Sequence, residues 1–247
     1  MTTVTVAVVS AGLSEPSSTR LLADRLAQAV RRDAARRGVR VDIVDVPLRE
    51  LARPIADTFV TGFAPPALQS ALDAVQSADA LIAVTPVFSA SYSGLFKSFF
   101  DAADPQGFTG KPVLLAATGG SSRHSLVLDY AMRPLFAYLK AEPVPTGVFA
   151  ATADFGSDSA SGSLDRRIEQ AGRQLVAALA DAAPSVALPS SSGAEVFDVE
   201  DEIAADAVDR AARVHLGPEP SRLEFRRRRD ADPFDNLIPF ERLLHRA

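Results

Sequence analysis

The sequence predicts an α/β domain built on a five-stranded parallel sheet, strand order 2-1-3-4-5, with helices on both faces. Three observations carry this. Short, almost wholly apolar runs, of the kind strands buried on both faces show, recur from Val4 to Ala150. Segments of helical periodicity separate them, which implies right-handed crossovers and a parallel sheet. Three of the strand-to-helix loops have unusual chemistry, and the order 2-1-3-4-5 brings those three to one mouth beyond the strand carboxyl ends.

The elements follow in order. Val4 to Val9 is the first strand, and a helix runs from about Arg20 to Arg37, with Gly38 as its C-cap. Val39 to Val46 is the second strand, ended by Pro47; residues 48–65, broken by Pro54, Gly62, Pro65 and Pro66, read as irregular. A short helix, Ala67 to Ser77, returns to a third strand at Ala80, which Thr85-Pro86 is expected to stop. A third helix spans Gly94 to Ala103, a fourth strand Val113 to Ala117, and a fourth helix Ser125 to Lys140. Val144 to Ala150 is the fifth strand and Leu164 to Ala182 the fifth helix.

Composition narrows the function. A chain of 247 residues, 47% hydrophobic and 23% charged, is ordinary for a globular protein and long enough for a full core. A net charge of -5 gives no electrostatic reason to bind nucleic acid. No stretch reaches the roughly 18 apolar residues of a membrane span, and the start, MTTVTVAVVS, lacks the positive region of a signal peptide. The expected compartment is the cytoplasm. With no cysteine there are no disulfides, no thiolate catalysis and no cysteine metal sites, and the three histidines show no ligand spacing. Redox chemistry in such a chain needs a bound cofactor.

The first loop, Ser10 to Thr19, offers Ser10, Ser14, Ser17, Ser18 and Thr19 ahead of a helix N-terminus. Hydroxyls and unpaired N–H groups at a positive dipole end suit a monoester phosphate. The loop is neither a Walker loop nor a dinucleotide fingerprint, since Gly12 stands alone. The second loop, Pro86-Val87-Phe88-Ser89, offers backbone groups and an aromatic edge, and the third, Thr118-Gly119-Gly120-Ser121, lets backbone approach a flat ligand. Taken singly, each has a bland reading: a helix cap, a turn with Phe88 in the core, a Gly-Gly turn. Arg123 and His124, just beyond the third loop, are candidates for a phosphate of a second nucleotide. A dehydrogenase with Asp42 or Asp45 on a ribose lacks the glycines it needs, and a serine hydrolase lacks GxSxG.

On PSST at Pro16 to Thr19, TPVFSASYSGLFKSFFD, and ATGGSSRHSLVLDYAMRPLFAYLKA from Ala117 to Ala141, the chain from Val4 to about Ala180 resembles the NAD(P)H-dependent FMN reductase family, whose fold is flavodoxin-like. The resemblance implies FMN as cofactor and NADPH or NADH as hydride donor. It implies that Ser10, Ser17, Ser18 and Thr19 hold the FMN phosphate. Pro86, Val87, Phe88 and Ser89 would line the ribityl chain and ring, and Thr118, Gly119, Gly120 and Ser121 the ring's far edge. Family members often carry an arginine between the serines of the first loop; here Leu13-Ser14-Glu15 stands instead, and Arg20 is the candidate replacement. A flavodoxin-like electron carrier, or a quinone or azo reductase using bound FMN, is the alternative.

Residues 184–247 are expected to form a linker and C-terminal extension, with a helix from Glu200 to Val214 and nine basic against eleven acidic residues from Glu200 onward. This tail resembles that of reductases paired with luciferase-like monooxygenases. Its segment DPFDNLIPFERLL (Phe234, Leu237, Ile238, Phe240, Leu243) is alternatively a packing surface for a neighbouring subunit. A homodimer or homotetramer is expected, by resemblance and because Leu95, Phe96, Phe99 and Phe100 give the third helix more apolar surface than one sheet face needs.

Overall fold

The structure is a computed structural model that describes residues 3–155 and 158–182. The described residues all fall within one unit, Met1–Leu188. The boundary expected at 183/184, the tail helix and the segment 232–244 lie outside the described residues.

The described elements are β1 (Thr3–Ser10), α1 (Ser18–Arg36), β2 (Arg40–Pro47), α2 (Ala52–Thr61), α3 (Pro66–Ser77), β3 (Ala80–Phe88), β4 (Ser91–Tyr92) and α4 (Gly94–Ala102). There follow β5 (Pro112–Gly119), α5 (Arg133–Tyr138), β6 (Glu142–Pro143), β7 (Val148–Ala151) and α6 (Asp158–Ala182). The sheet runs β2-β1-β3-β5-β6, with β7 also paired to β5 and β4 to β3. All pairings except β3–β4 are parallel. With β5 as the fourth predicted strand and β6–β7 as the fifth, this is the expected 2-1-3-4-5.

The apolar runs divide between two cores. Val6 and Val8, Ala80, Ile82 and Val84, and Leu114 and Ala116 pack under α1 and α6. Their alternates Ala7 and Val9, Leu81 and Ala83, and Val113, Leu115 and Ala117 face α3, α4 and α5. Period-two alternation sends successive side chains to opposite faces, so a strand covered on both must be apolar throughout. The second core is largely aromatic: Phe96, Phe99, Phe100, Phe108 and Phe136 meet at centroid distances of 4.8–6.4 Å. Phe96, Phe99 and Phe100 are therefore covered within the chain, at 0–2% exposure. The surplus apolar face expected on the third helix is not there.

Four elements differ from the sequence expectation. Residues 52–61, expected to be irregular, are helical. Pro54 falls in the first turn, where a missing N–H costs nothing, and Gly62 at φ 78° caps the end with its N–H on the Thr58 carbonyl. β3 runs through Thr85-Pro86 instead of stopping there. Beside the proline, the Thr85 hydroxyl accepts from the Ser93 N–H at 3.1 Å and donates to the Pro86 carbonyl at 3.0 Å. The helix expected at 125–140 is divided into a π turn, Leu128–Met132, and α5, with a 3₁₀ turn, Ser122–His124, ahead of it. Pro134 has no N–H to offer the Tyr130 carbonyl, and the Arg133 N–H reaches back to Leu128 to close the wider turn. The fifth strand is interrupted between Pro143 and Val148.

Candidate functional site

β1, β3 and β5 end side by side. Ser10 is in register with Val84, and Pro86 with Thr118. The three loops singled out in the sequence thus leave adjacent strands at one end of the sheet, the crevice where open α/β sheets bind ligands.

In the first loop, Ser17 is the N-cap of α1, its Oγ accepting from the Arg20 N–H at 3.2 Å. Ser18 and Thr19 occupy the first helical positions, whose N–H groups have no intrahelical acceptor. Ser18 is exposed, Ser10 and Thr19 are buried. Gly12 matters here for its size: a Cβ on it would lie 2.1 Å from Ser17 Oγ. The Thr19 hydroxyl meets the Thr118 hydroxyl at 2.7 Å, with both residues buried, so the start of α1 is clasped to the end of β5.

The second loop is a tight hairpin. Phe88 pairs with Ser91 and Val87 with Tyr92, leaving Ser89 and Ala90 as a two-residue turn with φ 48° and 66°. Two positive φ values make it a type I′ turn, occupied here by residues for which the left-handed region costs about 1–2 kcal/mol each. The turn leaves Phe88 48% exposed, not in the core, and Pro86 and Val87 half-buried beneath it.

Thr118 and Gly119 prove to be the last residues of β5, and Gly120 and Ser121 the start of the loop. A Cβ on Gly119 would come 2.9 Å from Phe149 Cζ, whereas one on Gly120 would meet nothing within 4 Å. Gly119 is required by packing behind the site, and Gly120 leaves the open side bare. Arg123 and His124 stand exposed in the 3₁₀ turn beyond.

Sequence reasoning missed the role of Gly12, the strained Ser89-Ala90 turn, and the fate of Arg20. The guanidinium of Arg20 does not face the loop as a lone charge. Its Nε donates to Asp24 at 3.0 Å and an Nη to Asp45 at the end of β2. Partial burial pulls its pKa down, but the two carboxylates outweigh this and hold it above the ordinary value. Arg49 pairs with Glu15 in the same way. Among the described residues no group of three or more His, Asp and Glu side chains is placed to hold a metal ion, and no helix is long and apolar enough to cross a membrane.

The sequence profile of the NADPH-dependent FMN reductase family matches residues 4–156. The chain belongs to this family. The FMN reductase (NADPH) of Pseudomonas aeruginosa is 41% identical over 150 residues, covering 61% of this chain and 78% of that one. The NADH-dependent FMN reductase SfnE of Pseudomonas putida is 37% identical over 176 residues, 71% of this chain and 92% of that one. Among solved structures, an oxidoreductase from Corynebacterium diphtheriae superposes with a TM-score of 0.70 at 44% identity, over 73% of this chain and 99% of that one. An apo NADH:FMN oxidoreductase, EmoB, gives 0.58 at 29% identity, over 68% and 88%. The family's flavin is compatible with the residues present: a cap-and-hydroxyl loop for a phosphate, an exposed aromatic, and a glycine with open space before it.

Proposed function

We propose that this protein is an NAD(P)H-dependent FMN reductase, which holds FMN and a reduced pyridine nucleotide together and passes hydride from one to the other. The observation that carries the reading is a mouth made chiefly of hydroxyls, glycine backbone and one exposed aromatic ring. Hydride transfer needs stacking and orientation, not a protein acid or base. Ser10, Ser17, Ser18 and Thr19 hold the phosphate. Pro86, Val87, Phe88 and Ser89 line the ribityl chain and one ring edge, and Thr118, Gly119, Gly120 and Ser121 the other. FMN, when bound, supplies the ring that accepts the hydride. The Thr19–Thr118 clasp keeps the phosphate end and the ring end at a fixed separation.

Two finer statements belong to the same reading. Reduced FMN leaves for a partner flavin-dependent monooxygenase of the luciferase-like type. The chain works as a homodimer or homotetramer, in the cytoplasm. For self-association the support is Tyr130 and Tyr138, 79% and 78% exposed. They rim a groove of about 670 Å3 between α4 and α5. A second copy covers them; a monomer at all concentrations in light scattering would refute this.

The test of the main reading is anaerobic stopped-flow with purified protein, FMN and excess NADPH, then NADH. Rapid bleaching of the flavin band with either donor is expected. Flavin that binds yet stays oxidised overturns the reductase in favour of a carrier, and NADPH oxidation only with an added quinone or azo dye moves the physiological acceptor away from free flavin.

A further inference from the structure

A cavity of about 830 Å3 opens on the β2 side of the first loop, and its wall includes Ser10 and Ser17 together with Arg20 and Arg49. It joins the hydroxyls assigned above to the flavin phosphate with two guanidiniums, the group best shaped to grip a phosphate through paired N–H donors. Neither guanidinium is unengaged. Asp45 and Asp24 hold Arg20, and Glu15 holds Arg49. With Glu50 also on the wall, four carboxylates face two arginines, an excess of two negative charges. A phosphate dianion entering here meets a net negative field, and at Arg20 it finds a charge already neutralised by Asp45 and Asp24, with only the N–H groups they leave over.

The ion pairs are partly exposed, with Arg20 41% and Asp45 36% accessible at the side chain. Solvent-exposed pairs of this kind are individually weak and yield to a better partner. The claim these carboxylates have on the charge and orientation of the guanidinium nevertheless subtracts from whatever the phosphate gains. Asp45 is the more consequential of the two partners of Arg20. Asp24 sits one helical turn along the same face of α1, an i,i+4 pair. Asp45 comes from a different element, and ties the guanidinium across to the end of β2.

Resting on the flavin reading above, we propose that Asp45 competes with the flavin phosphate for Arg20, and so sets how weakly this chain distinguishes FMN from riboflavin. The phosphate is held chiefly by neutral hydroxyl and backbone donors while the arginine beside it is kept in check. Asp45 is thereby a specificity-determining residue for the flavin, acting through Arg20 and not by touching the reacting ring.

The test uses the full chain as wild type, Asp45→Asn, Arg20→Gln and the double variant. Binding of FMN and of riboflavin is followed by flavin fluorescence, at low and high salt. Asp45→Asn is expected to tighten FMN about three- to tenfold, roughly 0.7–1.4 kcal/mol at 1.4 kcal/mol per tenfold, and to leave riboflavin unchanged. The gain is expected to vanish in the double variant and to shrink as salt screens the new contact. FMN bound equally or more weakly by Asp45→Asn overturns the proposal, because Asp45 then positions Arg20 and does not withhold it. Equal tightening of riboflavin overturns it too. Wild type that binds neither flavin brings down the flavin reading itself, which the other outcomes leave standing.

Discussion

The Thr19–Thr118 clasp gives a sharp test of how the site is held together. Both residues are buried, at 2% and 3% exposure, and their hydroxyls meet at 2.7 Å. Replacing either threonine with valine keeps the shape but strands the other hydroxyl away from water. An unsatisfied buried hydroxyl costs about 1–3 kcal/mol, more than the roughly 0.5–1.5 kcal/mol net value of the bond itself. Thr19→Val and Thr118→Val are each expected to destabilise by about 2 kcal/mol on this principle. The double variant, which leaves no orphan, is expected to lose less than about 1 kcal/mol, because removing both partners of a buried bond is nearly neutral. The coupling energy is then about 3 kcal/mol of non-additivity, at the upper end of what contacting residues show. In thermal unfolding each single change lowers Tm by about 4–8 °C, at roughly 2–4 °C per kcal/mol for a chain of this size. Urea titrations of the four proteins, followed by circular dichroism, give the cycle directly. Additivity within about 0.5 kcal/mol would mean the two hydroxyls are independent, and the clasp would have to be abandoned.

Other expectations follow from single residues. Gly12→Ala places a Cβ 2.1 Å from Ser17 Oγ; displacing that cap costs about 1 kcal/mol, and FMN affinity in fluorescence titration drops well beyond the change for Gly120→Ala, which has open space. Ala90→Gly relieves about 1–2 kcal/mol of left-handed strain against about 0.5–1 kcal/mol of added chain entropy, so a higher urea midpoint is expected, and a lower one refutes the turn assignment. Lys111 is 8% exposed, with its Nζ on the Val75 and Gln76 carbonyls at 2.7 and 2.8 Å. Burial pushes its pKa down to about 8 against the pull of Asp79. Above about pH 8 the native chain sheds a proton that the unfolded chain keeps until near 10.5. In that window the unfolded state binds more protons, so this residue's contribution to stability rises with pH; Lys111→Met should flatten that part of the profile of urea midpoint against pH.

The sheet order was legible because a strand covered on both faces has to be apolar throughout, and Val6 to Val9, Leu81 to Val84 and Val113 to Ala117 are. Three of the departures share a cause. Local grammar reads a proline as a stop, yet Pro54 lies within α2, Pro86 within β3 and Pro134 within α5. What each does depends on where its absent N–H falls: in a first turn, near the end of a strand, or just after a π turn. The hydroxyls of the first loop could be read directly, since their chemistry is intrinsic. Gly12 could not, because its constraint is imposed by Ser17, nor could the pairing of Arg20 with Asp45, 25 residues away. Ser89 and Ala90 give no sequence sign of their positive φ, which favours Gly or Asn.

The clasp also bears on when the pocket comes into being. Its two halves lie 99 residues apart, which a ribosome takes about 5–20 s to traverse at 5–20 residues per second. During that interval α1 and its loop have emerged, while the strand that carries Thr118 has not. A ligand encountered by the growing chain therefore finds the first loop without the Thr118 hydroxyl that clasps it. The site can be whole only after the strand that carries Thr118 has left the ribosome and joined the sheet.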